Sequence, residues 1–268
     1  MKKTTAVVKM PTRELVKATF LDQADEDAGK GISTAPDDNV TPIIRLLQAL
    51  SAQVKKNNPS YVKGAEAGDI WLKDNPSGKS LVKGEVGILF QPCYFYKDVI
   101  EWRPLDDGGG FVRRWDAIPR DAEEHTDEKT GRVFYTRNGN ELVDTRNHPG
   151  FVIDEETGEA SPWVLPMKGS NHQVSRAWMP LMQAKRLPSG KKAPAWFWVW
   201  RVKTRSKVNA AGQDYYVFDV EEVREIETDE EYARGKAVYE AFDSGVKRAE
   251  VDVEEMSATA FKDKNQSM

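Results

Sequence analysis

The chain has 268 residues, of which 39% are hydrophobic and 31% charged, so it can build one sizeable core but has no run of about 18 uncharged apolar residues for a membrane helix. Its one cysteine, Cys93, excludes an internal disulfide and suits a reducing compartment. The net charge of -4 is unevenly spread: residues 160–213 hold ten Lys or Arg and no acid, whereas 214–268 hold 16 acids against 7 bases, an asymmetry that predicts a polyanionic partner over the plain alternative of a solvated face.

The N-terminus, MKKTTAVVKM, begins like a signal peptide but lacks an apolar centre, so a cytoplasmic protein is expected. Residues 1–37 are polar, with Gly and Asp clusters, and read as a flexible arm. Thr41 and Pro42 then offer a cap and a first-turn proline, and Ile43, Leu46, Leu47, Leu50 and Val54 recur at helical spacing, which predicts a helix closed by Lys55 and Lys56.

From about residue 66 the pattern becomes β-like. Ile70-Trp71-Leu72 precedes a turn at Asn75-Pro76-Ser77-Gly78. Val86 to Trp102 is rich in β-branched and aromatic residues, with Pro92 placing an edge, a bulge or a break into two shorter strands in its middle. Gly108-Gly109-Gly110 leads into Phe111 to Trp115, and Asn138-Gly139 joins candidate strands at 133–136 and 142–145. Phe151 to Asp154 and Trp163 to Leu165 flank a Glu-Thr-Gly turn, and a helix from about Gln173 to Ala184 contains Pro180.

The clearest hairpin follows. Its outgoing strand lies within Pro194 to Ser206, its loop is Asn209 to Gly212, and its return strand is Asp214 to Val220. Thr228-x-x-Glu231 is a capping box for a last helix lined by Tyr232, Val238, Tyr239 and Phe242, with Gly245 as its stop. Residues 246–268 read as a flexible acidic tail. The whole predicts a mainly β (α+β) domain over 38–245: an OB-fold-like antiparallel barrel with long inserted loops and peripheral N- and C-terminal helices.

Catalytic signatures are lacking. Ser77-Gly78-Lys79-Ser80 resembles the end of a phosphate-binding loop, but Lys73 stands where the first glycine belongs. His125, His148 and His172 are widely spaced and Cys93 lies in an apolar strand, so neither a zinc site nor a nucleophile is indicated. Asp106-Asp107 and Glu123-Glu124 read as solvated loop charge. No catalytic residue, metal or cofactor is assigned, and a binding protein is expected.

Binding unpaired nucleic acid needs cations along the backbone path and flat rings for the bases. Trp196, Trp198 and Trp200 alternate along one strand and read as a core face, leaving Arg201, Lys203, Arg205 and Lys207 as a cationic row on the other. Tyr215 and Tyr216 lie on opposite faces of the return strand, so one of them reaches that row. Arg113, Arg114 and Trp115 form a second basic-aromatic group, and Arg176 and the Lys191-Lys192 pair are further candidates. No base-reading arrangement is visible, so little sequence preference is expected.

Four stretches carry a resemblance: NVTPIIRLLQALSAQVKK, GAEAGDIWLK, GILFQPCYFYKDVIEWRP with GGGFV, and WFWVWRVKTRSKVNAAGQDYYVFDVEE. Together they resemble phage-encoded single-stranded DNA-binding proteins. The resemblance implies an OB-fold core and sequence-tolerant coating of single-stranded DNA in phage replication or recombination. The alternative is a phage transcription cofactor or host-protein interaction module for which DNA is secondary. Replication and recombination proteins or RNA polymerase are the implied protein partners, met through the acidic C-terminal region. The chain departs from the pattern at its end: Phe261 is followed by Lys262-Asp263-Lys264-Asn265-Gln266-Ser267-Met268 in place of a terminal acidic-aromatic run.

Overall fold

The computed structural model describes residues 40–104, 107–126, 133–209 and 212–251. The arm at 1–37, Asp106, the loop residues Ala210 and Ala211, and the tail from residue 252 lie outside the described residues.

Nine strands form one mixed-length antiparallel sheet: β5 (Ile88–Pro92), β6 (Tyr96–Trp102), β7 (Phe111–Trp115), β8 (Glu123–Thr126), β9 (Val133–Arg137), β10 (Asn140–Ile153), β11 (Ala160–Lys168), β12 (Trp198–Val208) and β13 (Asp214–Glu225). The long β10 organises it. Its one flank takes β6 in register Glu141↔Trp102 to Asn147↔Tyr96 and then β5 from Gly150↔Pro92 to Ile153↔Leu89. Its other flank takes β9 at residues 140–142 and β11 at residues 145–153. Pro92 is therefore a break, one of the three outcomes its position left open: it cannot donate to a ladder, and Cys93 to Phe95 redirect the chain so that both halves pair with β10.

The sheet path runs β13-β12-β5-β10-β6-β7 and is open, because no pairing among the described residues joins β13 to β7. The mainly β expectation is met. The closed barrel is not formed.

The helix expected from Thr41 to Lys56 is also not formed. Val40–Thr41 (β1) runs parallel to Arg248–Ala249 (β14), and Arg45–Leu46 (β2) begins a three-stranded sheet with Ile70–Trp71 (β3) and Leu81–Val82 (β4). Between them Ile44 N–H donates to the Val164 carbonyl and Val164 N–H to the Pro42 carbonyl, each at 2.9 Å. Ile43 and Ile44, adjacent in sequence, enter different hydrophobic clusters. That is the period of a strand. Proline also disfavours helical geometry at Thr41, and the tertiary pairing partners outweigh a weak helical preference.

Helix α1 (Asn171–Ala184) and helix α2 (Asp229–Asp243) cover opposite faces. Val152, Leu165, Trp200, Val202 and Phe218 pack with Trp178 of α1, whereas their strand neighbours Phe151 and Val164 pack with Val238 and Phe242 of α2. α2 ends as its sequence indicated: Thr228 Oγ1 accepts from Glu231 N–H at 3.1 Å, and Gly245 takes φ 75° just past the helix. The Glu231 carboxylate does not complete a reciprocal box. It accepts from Glu227 N–H at 2.7 Å and binds Arg224 at 2.7 Å.

Gly235 sits inside α2 where alanine ordinarily adds about 1 kcal/mol. Here a Cβ would lie 2.6 Å from Trp196 Cβ. Gly235→Ala is therefore expected to destabilise the protein by about 1–3 kcal/mol through overpacking, measured as a lower denaturant midpoint; a raised midpoint would show that the contact yields. His148 supplies a second test. It is fully buried between Phe95 and Trp178, with Nε2 2.9 Å from Ser175 Oγ, and burial pushes its imidazole down to about 3. The unfolded chain takes up a proton near the ordinary value of about 6.5 that the native state refuses until about 3, so stability falls as pH drops through that window. His148→Gln is expected to flatten the loss in denaturant midpoint between pH 7 and pH 5.

Candidate nucleic-acid interface

The β12–β13 hairpin forms as expected, but its surface chemistry differs. Trp198 and Trp200 are buried core residues, while Trp196 lies in the 3-10 turn Ala195–Phe197, outside the strand, and packs against α2. Directly opposed residues of antiparallel strands share a face. The register sets Arg201 against Glu221, Lys203 against Asp219 and Lys207 against Tyr215. The row Arg201, Lys203, Arg205, Lys207 thus shares its face with two carboxylates, Glu221 and Asp219, and with Val217 and Tyr215 toward the hairpin tip. Arg201 forms two hydrogen bonds to Glu155 at 2.6 and 2.9 Å, Lys203 reaches Glu221 at 2.8 Å, and Arg205 lies 3.8 Å from Asp219. The Arg201 guanidinium holds the Glu155 carboxyl below the usual carboxylate range. At the hairpin tip Lys207 sits beside Tyr215, while Tyr216 faces the other way, against Gly68.

The second predicted group divides between the faces of β7. Arg114 is consumed structurally: its Nε lies 3.3 Å from Asp98 and its Nη2 donates to the Ala249 carbonyl at 2.7 Å. Burial pushes the Asp98 carboxyl up, against the pull of Arg114 and of the Asn147 amide. Arg113 and Trp115 point to the opposite face. There the Arg113 guanidinium lies 4.4 Å from the centre of the half-buried Trp115 ring, and Arg137 from β9 lies 4.9 Å from the same ring. Asp121 holds Arg137 with two hydrogen bonds, at 3.1 and 2.9 Å to its Nε.

The same face continues across the sheet. Trp115 opposes Val99, and Val99 opposes Asp144; one rung further along β6 and β10, Lys97 opposes Arg146. Strand geometry puts Lys97 about 8 Å and Arg146 about 12 Å from Trp115 along the backbone surface. Arg146 lies 4.8 Å over the Phe95 ring and donates to Ser175 Oγ at 2.7 Å, which brings it beside Arg176, exposed on α1. Two more cations, Lys191 and Lys192, are exposed on a tight hairpin after α1, closed by the Arg186↔Lys192 bridge. Among the described residues no carboxylate pairs with Arg113, Arg176, Lys191 or Lys192, and no three of His, Cys, Asp and Glu converge where they could hold a metal ion.

The Pam3 phage gp34-like family matches residues 8–248. The chain belongs to that family. No curated protein matches it, and no solved structure does. Family membership establishes the phage character that the sequence resemblance implied, and the family's description specifies no ligand. No helix among the described residues is long and apolar enough to cross a membrane.

The structure therefore brings Arg113 and Trp115 together, adds Arg137, Lys97 and Arg146 to their face, and sets Arg114 apart. Arg137, Lys97 and Arg146 escaped sequence reasoning. Arg137 stands just before the Asn138-Gly139 turn, so pairing the two flanking strands first would have placed it. The ladder on β12 and β13 is testable directly. Replacing Glu155 and Glu221 by Gln leaves Arg201 and Lys203 without their carboxylates. The salt dependence of oligonucleotide binding is expected to steepen by up to about 0.7 in log–log slope for each freed cation; an unchanged slope would mean that those cations are already available to a polyanion.

Proposed function

We propose that this phage protein binds single-stranded DNA with little sequence preference and coats it during replication or recombination, acting by binding and not by catalysis. The observation that carries the reading is the Trp115 platform: a half-buried indole with two guanidiniums within 5 Å of its centre, on the same sheet face as exposed Lys97, with exposed Arg176 further on beyond the buried Arg146 and Ser175. Such a surface supplies both requirements of single-strand binding, a π-face for a base and cations for the phosphates on either side of it. An OB-like ancestry for the bent β5–β6 and β10 pair is part of this reading.

The Lys191-Lys192 hairpin and the Lys207–Tyr215 tip are secondary contacts in this arrangement. Arg201, Lys203 and Arg205 contribute less, because each must leave a carboxylate before it meets a phosphate.

Titrating the protein with oligo-dT while following tryptophan fluorescence at two salt concentrations tests the reading. Quenching and a steep loss of affinity with salt are expected, with duplex of equal length binding more weakly. Stacking contributes about 1–3 kcal/mol per base, so Arg113→Ala combined with Trp115→Ala is expected to weaken binding about tenfold or more, measured where both proteins are folded, because loss of the indole donor to buried Glu101 also lowers the denaturant midpoint. Equal affinity for duplex and single strand, or an unaffected double variant, would turn the assignment toward the protein-interaction alternative.

A further inference from the structure

Glu101 lies beneath the platform. Its carboxylate is 2% exposed, opposes Arg113 in register, and accepts from Trp115 Nε1 at 2.8 Å and from Asn140 Nδ2 at 2.6 Å, with Arg137 Nη1 at 3.9 Å. Three elements, β7, β9 and the start of β10, thus meet at one buried anion on β6. A buried carboxylate is costly unless it is paired and hydrogen-bonded. Here its oxygens are spent on the indole and amide that border the platform.

We propose that Glu101 is the positioning residue of the Trp115 platform, and that by taking the indole N–H it leaves the platform able to stack on a base but unable to read one. The inference rests on the single-strand reading above. The indole has a single donor and no acceptor. With that donor directed into the protein, the ring offers incoming bases only its π-face, which every base can use. Without the anchor the ring turns about its two side-chain torsions, and the stack with Arg113 loses its fixed geometry.

Glu101→Gln conserves the anchor. The amide oxygen can accept from Trp115, and the amide nitrogen can donate to Asn140 once the Asn140 amide is flipped. Glu101→Ala removes it. The test combines two measurements on the full chain. In the first, hydrogen exchange of the Trp115 indole proton is followed by NMR without DNA; protection is expected in the wild type and in Glu101→Gln, and its loss in Glu101→Ala. In the second, affinities for dT, dC and dA oligonucleotides are compared. Glu101→Ala is expected to weaken all three by about the same factor, fivefold or more, with the salt slope unchanged because the phosphate contacts persist, and Glu101→Gln is expected to restore wild-type affinity.

A merely structural role would change the salt slope along with the affinity, or leave Glu101→Gln as weak as Glu101→Ala, and either result overturns the proposal. A rapidly exchanging indole proton in the wild type overturns it as well. Should the wild type bind no oligonucleotide while its indole proton is protected and is released only in Glu101→Ala, Glu101 keeps its anchoring role and the single-strand reading is what fails. Trp115→Ala losses that differ severalfold between dT, dC and dA would refute the claim that the platform does not read bases.

Discussion

The pairing of one long strand, β10, with a broken one, β5–β6, is the constraint from which the rest follows. A strand of 14 residues twists too far to hold one flat partner along its length. The break after Pro92 lets its flank be served by two shorter strands, and the two half-sheets then diverge to carry different surfaces. The junction is tight. At Gly150, opposite Pro92, a Cβ would lie 2.3 Å from the Gln91 carbonyl oxygen, so only glycine allows the strands to approach where the sheet bends. Gln91 is itself fully buried; its amide donates to the carbonyls of Trp196 and Glu231, tying the bend to the turn before β12 and to α2. The bend, the closing hairpin and the last helix are thus one connected arrangement.

Signals local in sequence were legible: the Asn138-Gly139 turn, with both residues at positive φ, the hairpin around 209–212, the Thr228 cap and the Gly245 stop. Each depends on a few adjacent residues whose backbone preferences agree with the fold. Where the answer depended on distant partners, periodicity was ambiguous. The apolar run from Ile43 to Leu50 satisfies helical spacing because nearly every second or third residue in it is apolar, and only the waiting edges of β11 and β3 make it extended. The strand at Asn140 to Ile153 reads as two pieces in the sequence because polar residues Asp144, Arg146, Asn147 and His148 interrupt it. Three of those four are buried, and their side-chain hydrogen bonds go to Ser175 and Asp98 and not to solvent.

Charge behaved similarly. An acid-free window of 54 residues is a fact about sequence, and electrostatics acts through space. β12 supplies cations and β13, immediately downstream, supplies the acids that face them, so the hairpin cancels most of its own charge. The same ladder also protects an edge hairpin from pairing with other chains. On β13 the free edge is further occupied by side-chain amides: Gln48 both donates to the Tyr216 carbonyl and accepts from its N–H, and Asn171 accepts from Phe218 N–H. Those contacts make the hairpin a structural wall.

What separates the wall from the proposed binding face in this protein is which polar groups are already spent. Arg114 and Arg113 are neighbours with the same chemistry, yet the first is exhausted by Asp98 and a carbonyl while the second is exposed and rests on a ring. Trp200 and Trp115 differ in the same way: one is sealed beneath α1, the other is half-buried with its N–H directed inward and with two guanidiniums within 5 Å of its ring centre. On the proposed reading a base arriving at Trp115 leaves the indole hydrogen bond intact as it stacks, and exposed Arg113, with no paired carboxylate among the described residues, is available to a flanking phosphate, whereas Arg137 is held by Asp121. At Arg201 a phosphate must first displace a two-point contact to Glu155 in a partly desolvated setting, and that exchange returns little net free energy. The distribution of satisfied and unsatisfied groups, more than the number of basic residues, therefore places the proposed binding surface on β6, β7 and β10 and away from the most basic stretch of the chain.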